Sequence, residues 1–303
     1  MAKIEIGNAA SSLNGMALAV AGFVMLSLGD AVVKSMAGMW APTAIAATRY
    51  ALGAIGLSAL LLVREGRAAF AMPHPKVQIL RGAAMALSTL GFFSALFVMP
   101  LAAATTITFI SPMLTALLAT LILGEPARKE TWIALAMAFV GVLVVLRPNV
   151  AAVGWAAVFP LISALGFSLM MIGNRYVAGT ASALAMQAYV ALAATPILIV
   201  ATFGLHFSGI ARYFVHWPEW SVLARCALIA CTATTAHWLI YLGTTRAGAA
   251  HIAPMTYVQL LVATLLGWLF FNNHPDRLTL LGAVIIIGSG LYFGWASRVR
   301  TPG

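Results

Sequence analysis

The chain has 303 residues, 62% of them hydrophobic and only 8% charged, whereas soluble domains carry about a quarter charged residues; a water-soluble globular protein is excluded. Its net charge of +10 does not point to nucleic acid, because the 17 basic residues are scattered between apolar stretches and not gathered into exposed runs. Cys226 and Cys231, five apart in one apolar stretch, and six histidines without ligand spacing imply no disulfide framework, metal site or cofactor.

Residues 1–14 read as a polar cytoplasmic tail, and the apolar run after them is too long for the core of a cleaved leader. Ten spans follow: 15–37, 41–63, 77–98, 101–123, 131–147, 154–176, 183–204, 222–244, 248–271 and 279–297. Each approaches the length of about 20 apolar residues that crosses a bilayer. The chain is therefore predicted to be an all-α integral membrane protein. No segment remains for a soluble domain.

The first span places Ser27, Asp30 and Lys34 on one face, with Asp30 four residues before Lys34, the favourable order for a helical ion pair. Arg49 lies about 10 Å into the second span by helical rise. Two roles fit these charges. Either Asp30 and Lys34 serve each other while Arg49 caps carbonyls or snorkels outward, or the three form a charged vestibule for substrate or coupling.

The fourth span carries Thr105, Thr108, Ser111 and Thr115 three or four apart, a hydroxyl stripe interrupted by Pro112 and ending at Glu125. A mid-span proline frees a carbonyl that protein or water must satisfy, so this span is expected to face a polar cavity. The hydroxyls either meet substrate there or bond their own backbone one turn back. In the eighth span Thr234, His237, Trp238 and Tyr241 share a side; they serve as a polar tip and aromatic walls of a pocket, or as packing.

The ninth span repeats the fourth at an offset of 148 residues, with Pro254, Thr256, Tyr257 and Gln259, and matches such as Thr108/Thr256 and Leu117/Leu265. Each of these spans follows three others and precedes one. The chain thus divides into five-span halves, 15–147 and 148–298, with a short tail at 299–303. Phe92 and Phe93 of the third span join the cavity candidates, and Gly22, Gly91 and Gly166 are expected at close helix contacts.

With a cytoplasmic N-terminus, eleven Lys and Arg fall inside (Lys3, Arg64, Arg67, Lys76, Arg81, Arg128, Lys129, Arg175, Arg246, Arg298 and Arg300) and five outside (Lys34, Arg147, Arg212, Arg225 and Arg277). That asymmetry puts both termini in the cytoplasm. Five spans per half is odd, so the halves are inverted, the build of carriers that alternate access to a midplane site.

Ser111-Pro112 and the run LLATLILGE up to Glu125 resemble the end of an EamA-type repeat, which occurs twice in ten-helix members of the drug/metabolite transporter superfamily. Arg49 falls where such repeats often have an arginine. The layout is most similar to bacterial amino-acid exporters of the YddG type. In the second half Asn272-Asn273-His274-Pro275 replaces the usual Gly-Glu-x-x-Pro ending, so no role passes from Glu125 to Asn273. The resemblance implies a multi-pass carrier of small organic solutes in the bacterial inner membrane, often an exporter. It also implies a cavity lined by the third, fourth, eighth and ninth helices, with parts of the first and sixth.

The expected partners are thus the lipid bilayer and a small-molecule substrate, a neutral or aromatic amino acid, touched by Thr108, Ser111, His237, Trp238, Tyr241, Thr256 and Gln259. Another metabolite or drug-like compound is the alternative cargo. The absence of GxxxxGK[ST] argues against transport driven by ATP within this chain. An intramembrane enzyme using Ser168 and His237 has little support, since GFSLM lacks the second glycine of a nucleophile elbow. A pigment would need a central lysine, and Lys34 is the only intramembrane candidate.

Overall fold

Backbone amides in lipid must be satisfied within the segment, so long apolar runs fold as helices. A computed structural model describes residues 2–124, 129–146, 154–247 and 253–298, and the described residues are all helix and connection. The helices are α1 (Ala2–Ser35), α2 (Pro42–Glu65), α3 (Pro75–Val98), α4 (Leu101–Thr108), α5 (Ser111–Leu123), α6 (Lys129–Leu146), α7 (Val158–Tyr176), α8 (Ala183–His206), α9 (Trp220–Ala247), α10 (Tyr257–Phe271) and α11 (Arg277–Arg298). Seven segments are long and apolar enough to cross a membrane, and α6, α10 and α11 supply three shorter apolar helices. Large apolar side chains such as Val63 (81% exposed), Leu121 (70%) and Phe270 (72%) cover the outside, a surface suited to lipid and not to water.

Two features differ from the sequence reading. The tail assigned to residues 1–14 is helical from Ala2 and continuous with α1. The fourth span is broken into two helices rather than merely distorted: α4 ends at Thr108, Phe109 and Ile110 form a turn, and Pro112 occupies the first turn of α5, where its missing N–H costs nothing. Ser168 of α7 donates to the Ser111 carbonyl at 2.9 Å beside this break. The ninth span is likewise composite, a 3-10 turn at Ala253–Thr256 leading into α10; the side chain of Pro254 lies outside the described residues, as does Glu125.

The packing is reciprocal between halves. Exchanging each span for the one five places on turns the α1–α9 contact into α7–α3 and α1–α10 into α7–α4/α5, and it maps α2–α8 and α6–α11 onto themselves. Such reciprocity is the signature of a two-fold relation. Odd-numbered halves place that axis in the membrane plane. The two main crossings are equivalent: a Cβ on Gly22 of α1 would lie 2.7 Å from the Ala236 carbonyl of α9, and one on Gly166 of α7 would lie 2.7 Å from the Ala84 carbonyl of α3. The departure at Asn272 also keeps the symmetry. Asn272 holds the left-handed conformation (φ 52°) that caps α10, as Gly124 does (φ 69°) after α5; asparagine is the usual substitute for glycine at that position.

Candidate functional site

The described structure holds a chamber of about 360 Å³ between α2, α3, α7, α8 and α9, bordered by Arg49, Tyr50, Arg81, Phe167, Met186 and His237 among others. It is contiguous through Leu57, Ala183, Gln187 and Thr234 with a second chamber of about 620 Å³. The second chamber reaches Arg64, Glu65 and Ser182 at one end of the bundle. In the other direction the space narrows past Arg49 to a blind end of about 30 Å³ at Asp30 and Phe93. The cavity is therefore a funnel, wide at the α2–α3 end and closed at the opposite one.

Closure rests on a set of hydrogen bonds. Lys34 in the last turn of α1 donates to the carbonyls of Leu96 and Met99, at 3.0 and 2.8 Å, where α3 ends. A cation suits these free carbonyls of a helix C-terminus. Its ammonium also stands 5.6 Å from the centre of the Phe271 ring. Trp40 donates from Nε1 to the His216 carbonyl at 2.9 Å, tying the aromatic 206–221 loop over the same end. The helical ion pair of Asp30 with Lys34 is not the arrangement observed: Lys34 turns to α3, while Asp30 accepts from Gln259 Nε2 at 3.2 Å. The physical reason is that two aligned carbonyls satisfy an ammonium with no flexible partner to hold in place.

The hydroxyl stripe lies off the chamber wall. Thr105, Thr108 and Thr115 each donate to the carbonyl four residues back, at 2.8–2.9 Å. The α4/α5 span meets α10 instead, through the edge-to-face pair Phe109–Tyr257 at 5.7 Å. Thr108, Ser111, Thr256 and Gln259 do not border the two chambers. The Gln259 side chain is committed to Asp30, and its backbone carbonyl accepts from the buried Ser27 at 2.8 Å. The helices lining these two chambers are the second, third, sixth, seventh and eighth spans; the third, sixth and eighth are among those the resemblance implied, and the fourth and ninth do not border them. This follows from the two-fold relation, which pairs α2 and α3 with α8 and α9 around the central space.

His237 borders the chamber, and Trp238 and Tyr241 border its wider mouth, their rings 6.1 Å apart. His237 Nδ1 is out of solvent contact and has no hydrogen-bond partner among the described residues. Arg49 also faces the chamber, stacked 4.9 Å from the Tyr50 ring centre and 5.6 Å from that of Phe93.

The sequence reading missed Arg81. The charge count treats it as one more cytoplasmic charge at the edge of the third span, yet it is 4% exposed, two turns into α3, and it borders the chamber. Its Nε donates to Asn174 Oδ1 at 2.7 Å and its Nη1 to Gln78 Oε1. Gly173 makes room for it, since a Cβ there would meet the Arg81 side chain at 2.5 Å. Pro75, a favoured first helical residue, starts α3 two residues before the span drawn from 77 and so sets Arg81 deeper in the helix.

A ten-span bundle of two reciprocal halves around a polar, one-ended cavity has the build of a membrane transporter. The chain belongs to the EamA-like transporter family, whose model matches it twice, over residues 13–147 and 154–293. It is a multi-pass membrane transporter and not an enzyme. It is similar to an S-adenosylmethionine uptake transporter of Rickettsia prowazekii, 23% identical over 286 residues that cover 94% of each chain. A riboflavin transporter of Rhizobium johnstonii is 29% identical over 231 residues, 76% of this chain and 74% of that one. The pseudopaline exporter CntI of Pseudomonas aeruginosa is 24% identical over 275 residues, 90% and 93% of the two chains. A solved crystal structure shares the fold with a TM-score of 0.62 at 18% identity, over 96% of this chain and 99% of that one.

Proposed function

We propose that the protein is a secondary carrier of the bacterial inner membrane that exports small organic solutes by alternating access. Its cargo carries a carboxylate and an apolar body, amino acids with apolar or aromatic side chains among them. The observation that carries this reading is the funnel: one end of the bundle is open to the chamber and the other is sealed by Lys34 and the Trp40–His216 contact. The open end bears Arg64, and the excess of Lys and Arg on that side supports a cytoplasmic placement. The described conformation then loads from inside. Names of relatives that carry unlike solutes favour, as a second reading, another metabolite or drug-like cargo in the same chamber.

Purified protein in liposomes loaded with unlabelled phenylalanine or methionine is expected to accumulate the labelled solute by counterflow. Failure of every small organic solute to exchange would remove the carrier reading. Sidedness has its own check. Ser208 is exposed in the sealing loop, and it is a better probe site than Gly209, whose φ of 75° disfavours a side chain. Ser208→Cys, without Cys226 and Cys231, should react with an impermeant thiol reagent on intact cells; labelling only after lysis would reverse the topology.

The chamber wall separates two further effects. Trp238→Ala should weaken bulky apolar substrates about tenfold and leave small ones within about twofold, because only the bulky ones reach the indole. His237→Ala should weaken all of them by up to about tenfold, the worth of one hydrogen bond. Equal and mild effects on every substrate would make both residues packing.

A further inference from the structure

The charges around the chamber do not balance. Two guanidinium groups border it, those of Arg49 and Arg81, and no aspartate or glutamate does. Asp30 stands at the adjoining blind end with Arg49. Glu65, at the mouth, is occupied by the Ser182 hydroxyl at 2.7 and 2.9 Å. Counting Asp30 against Arg49 leaves Arg81 uncompensated among the described residues that border this chamber.

The hydrogen-bonding capacity agrees with the charge. Arg81 spends Nε on Asn174 and Nη1 on Gln78 and the Met186 sulfur, all neutral, and its Nη2 makes no hydrogen bond among the described residues. Arg49 makes none there either; the faces of Tyr50 and Phe93 stack on its guanidinium. Stacked rings fix a guanidinium without consuming its five N–H donors. His237 Nδ1, on the same chamber, is also unpartnered. An uncompensated, buried cation with unspent planar donors is a poor structural element and a good carboxylate receptor. Met85, Met170, Met186 and Phe167 line the remaining wall and suit an apolar or aromatic body.

We infer that this chamber is built for a monoanionic organic carboxylate, its carboxylate held between Arg81 and Arg49 and its apolar body against the methionines and Phe167. The inference rests on the carrier reading and narrows its substrate class. A zwitterion presents the same carboxylate but brings an ammonium that leaves the chamber's excess charge in place. The carboxylate alone cancels it.

Three molecules of one skeleton separate these cases: 3-phenylpropanoate, phenylalanine and 2-phenylethylamine. A ligand that binds only the folded protein raises its melting temperature. In detergent, 3-phenylpropanoate is expected to stabilise the full-length protein at concentrations at least about tenfold below phenylalanine, and the amine not at all. Asn174→Asp places a carboxylate on Arg81 Nε with no change of size and compensates the charge internally. This variant should lose the response to 3-phenylpropanoate by about tenfold or more and favour phenylalanine. Arg49→Gln, which breaks no hydrogen bond among the described residues, should weaken the anion similarly. Phenylalanine or the amine acting as well as the anion, no response to any of the three, or an anion response unchanged in Asn174→Asp would overturn the inference. Counterflow keeps the two readings apart. Exchange of phenylalanine that 3-phenylpropanoate neither enters nor inhibits would sink the carboxylate site alone. The expected binding pattern without passage of either solute would sink the carrier alone.

Discussion

Gly166→Val is expected to leave almost no monodisperse protein after detergent extraction, whereas Gly204→Val should leave the yield unchanged. A Cβ on Gly166 would lie 2.6 Å from the Ser88 amide nitrogen and 2.7 Å from the Ala84 carbonyl oxygen. Those are backbone atoms of α3, and they cannot turn aside as a side chain can. Nothing stands within 4 Å of a Cβ on Gly204. The same crossing brings Gly91 against Phe159 and Ser163 and aligns the hydroxyls of Ser88 and Ser163 at 3.3 Å. In lipid no hydrophobic force drives two helices together, so association depends on this close approach and its polar contacts. Overpacking by a few methyl groups costs about 1–3 kcal/mol in a core that can relax; here the whole helix must move, and α3 and α7 both line the chamber. The size-exclusion profile of the extracted variant checks this. A normal monodisperse peak for Gly166→Val would mean that the α3–α7 crossing is not as close as described.

The residues that make the fold were largely visible in the sequence because they act through composition. Spans, inversion and the close-contact role of Gly22, Gly91 and Gly166 depend on apolar length, oddness and the lack of a side chain, and each is a local property. The site was less legible. Thr108 and Ser111 look like a polar face at helical spacing, but spacing does not say whether a hydroxyl bonds outward or to its own helix, and Thr108 bonds Ala104. Lys34 and Asp30 look like a pair until α3 offers carbonyls that only the tertiary fold brings near. Arg81 was hidden because a charge near a span's end reads as a cytoplasmic flank. The chamber itself arises from the two-fold relation between α2, α3 and α8, α9, and no single span announces it.

Lys34→Met should shift the carrier away from the funnel open at the α2–α3 end. Lys34 joins α1 to the end of α3 through two charge-assisted hydrogen bonds at 2.8–3.0 Å and rests near Phe271 of α10, so it links three elements at the closed end. Opening that end requires α1 and α3 to part, and the two bonds must then be lost. Methionine keeps much of the side chain's length and apolar stem but neither bond. If the pair is worth about 2 kcal/mol in the closed form, its loss moves the conformational equilibrium about 30-fold toward the oppositely open state. Gln187 borders both chambers of the funnel and reports the shift. In a background without Cys226 and Cys231, Gln187→Cys should react readily with a thiol reagent supplied at the α2–α3 end of the bundle. Adding Lys34→Met should slow that reaction about tenfold or more, while Lys34→Arg, which can still donate to both carbonyls, should not. Counterflow should fall in the methionine variant as well, because a carrier held in one state does not cycle. An unchanged labelling rate for Gln187→Cys with Lys34→Met would show that the seal is held without Lys34, by the 206–221 loop and the helix contacts beneath it.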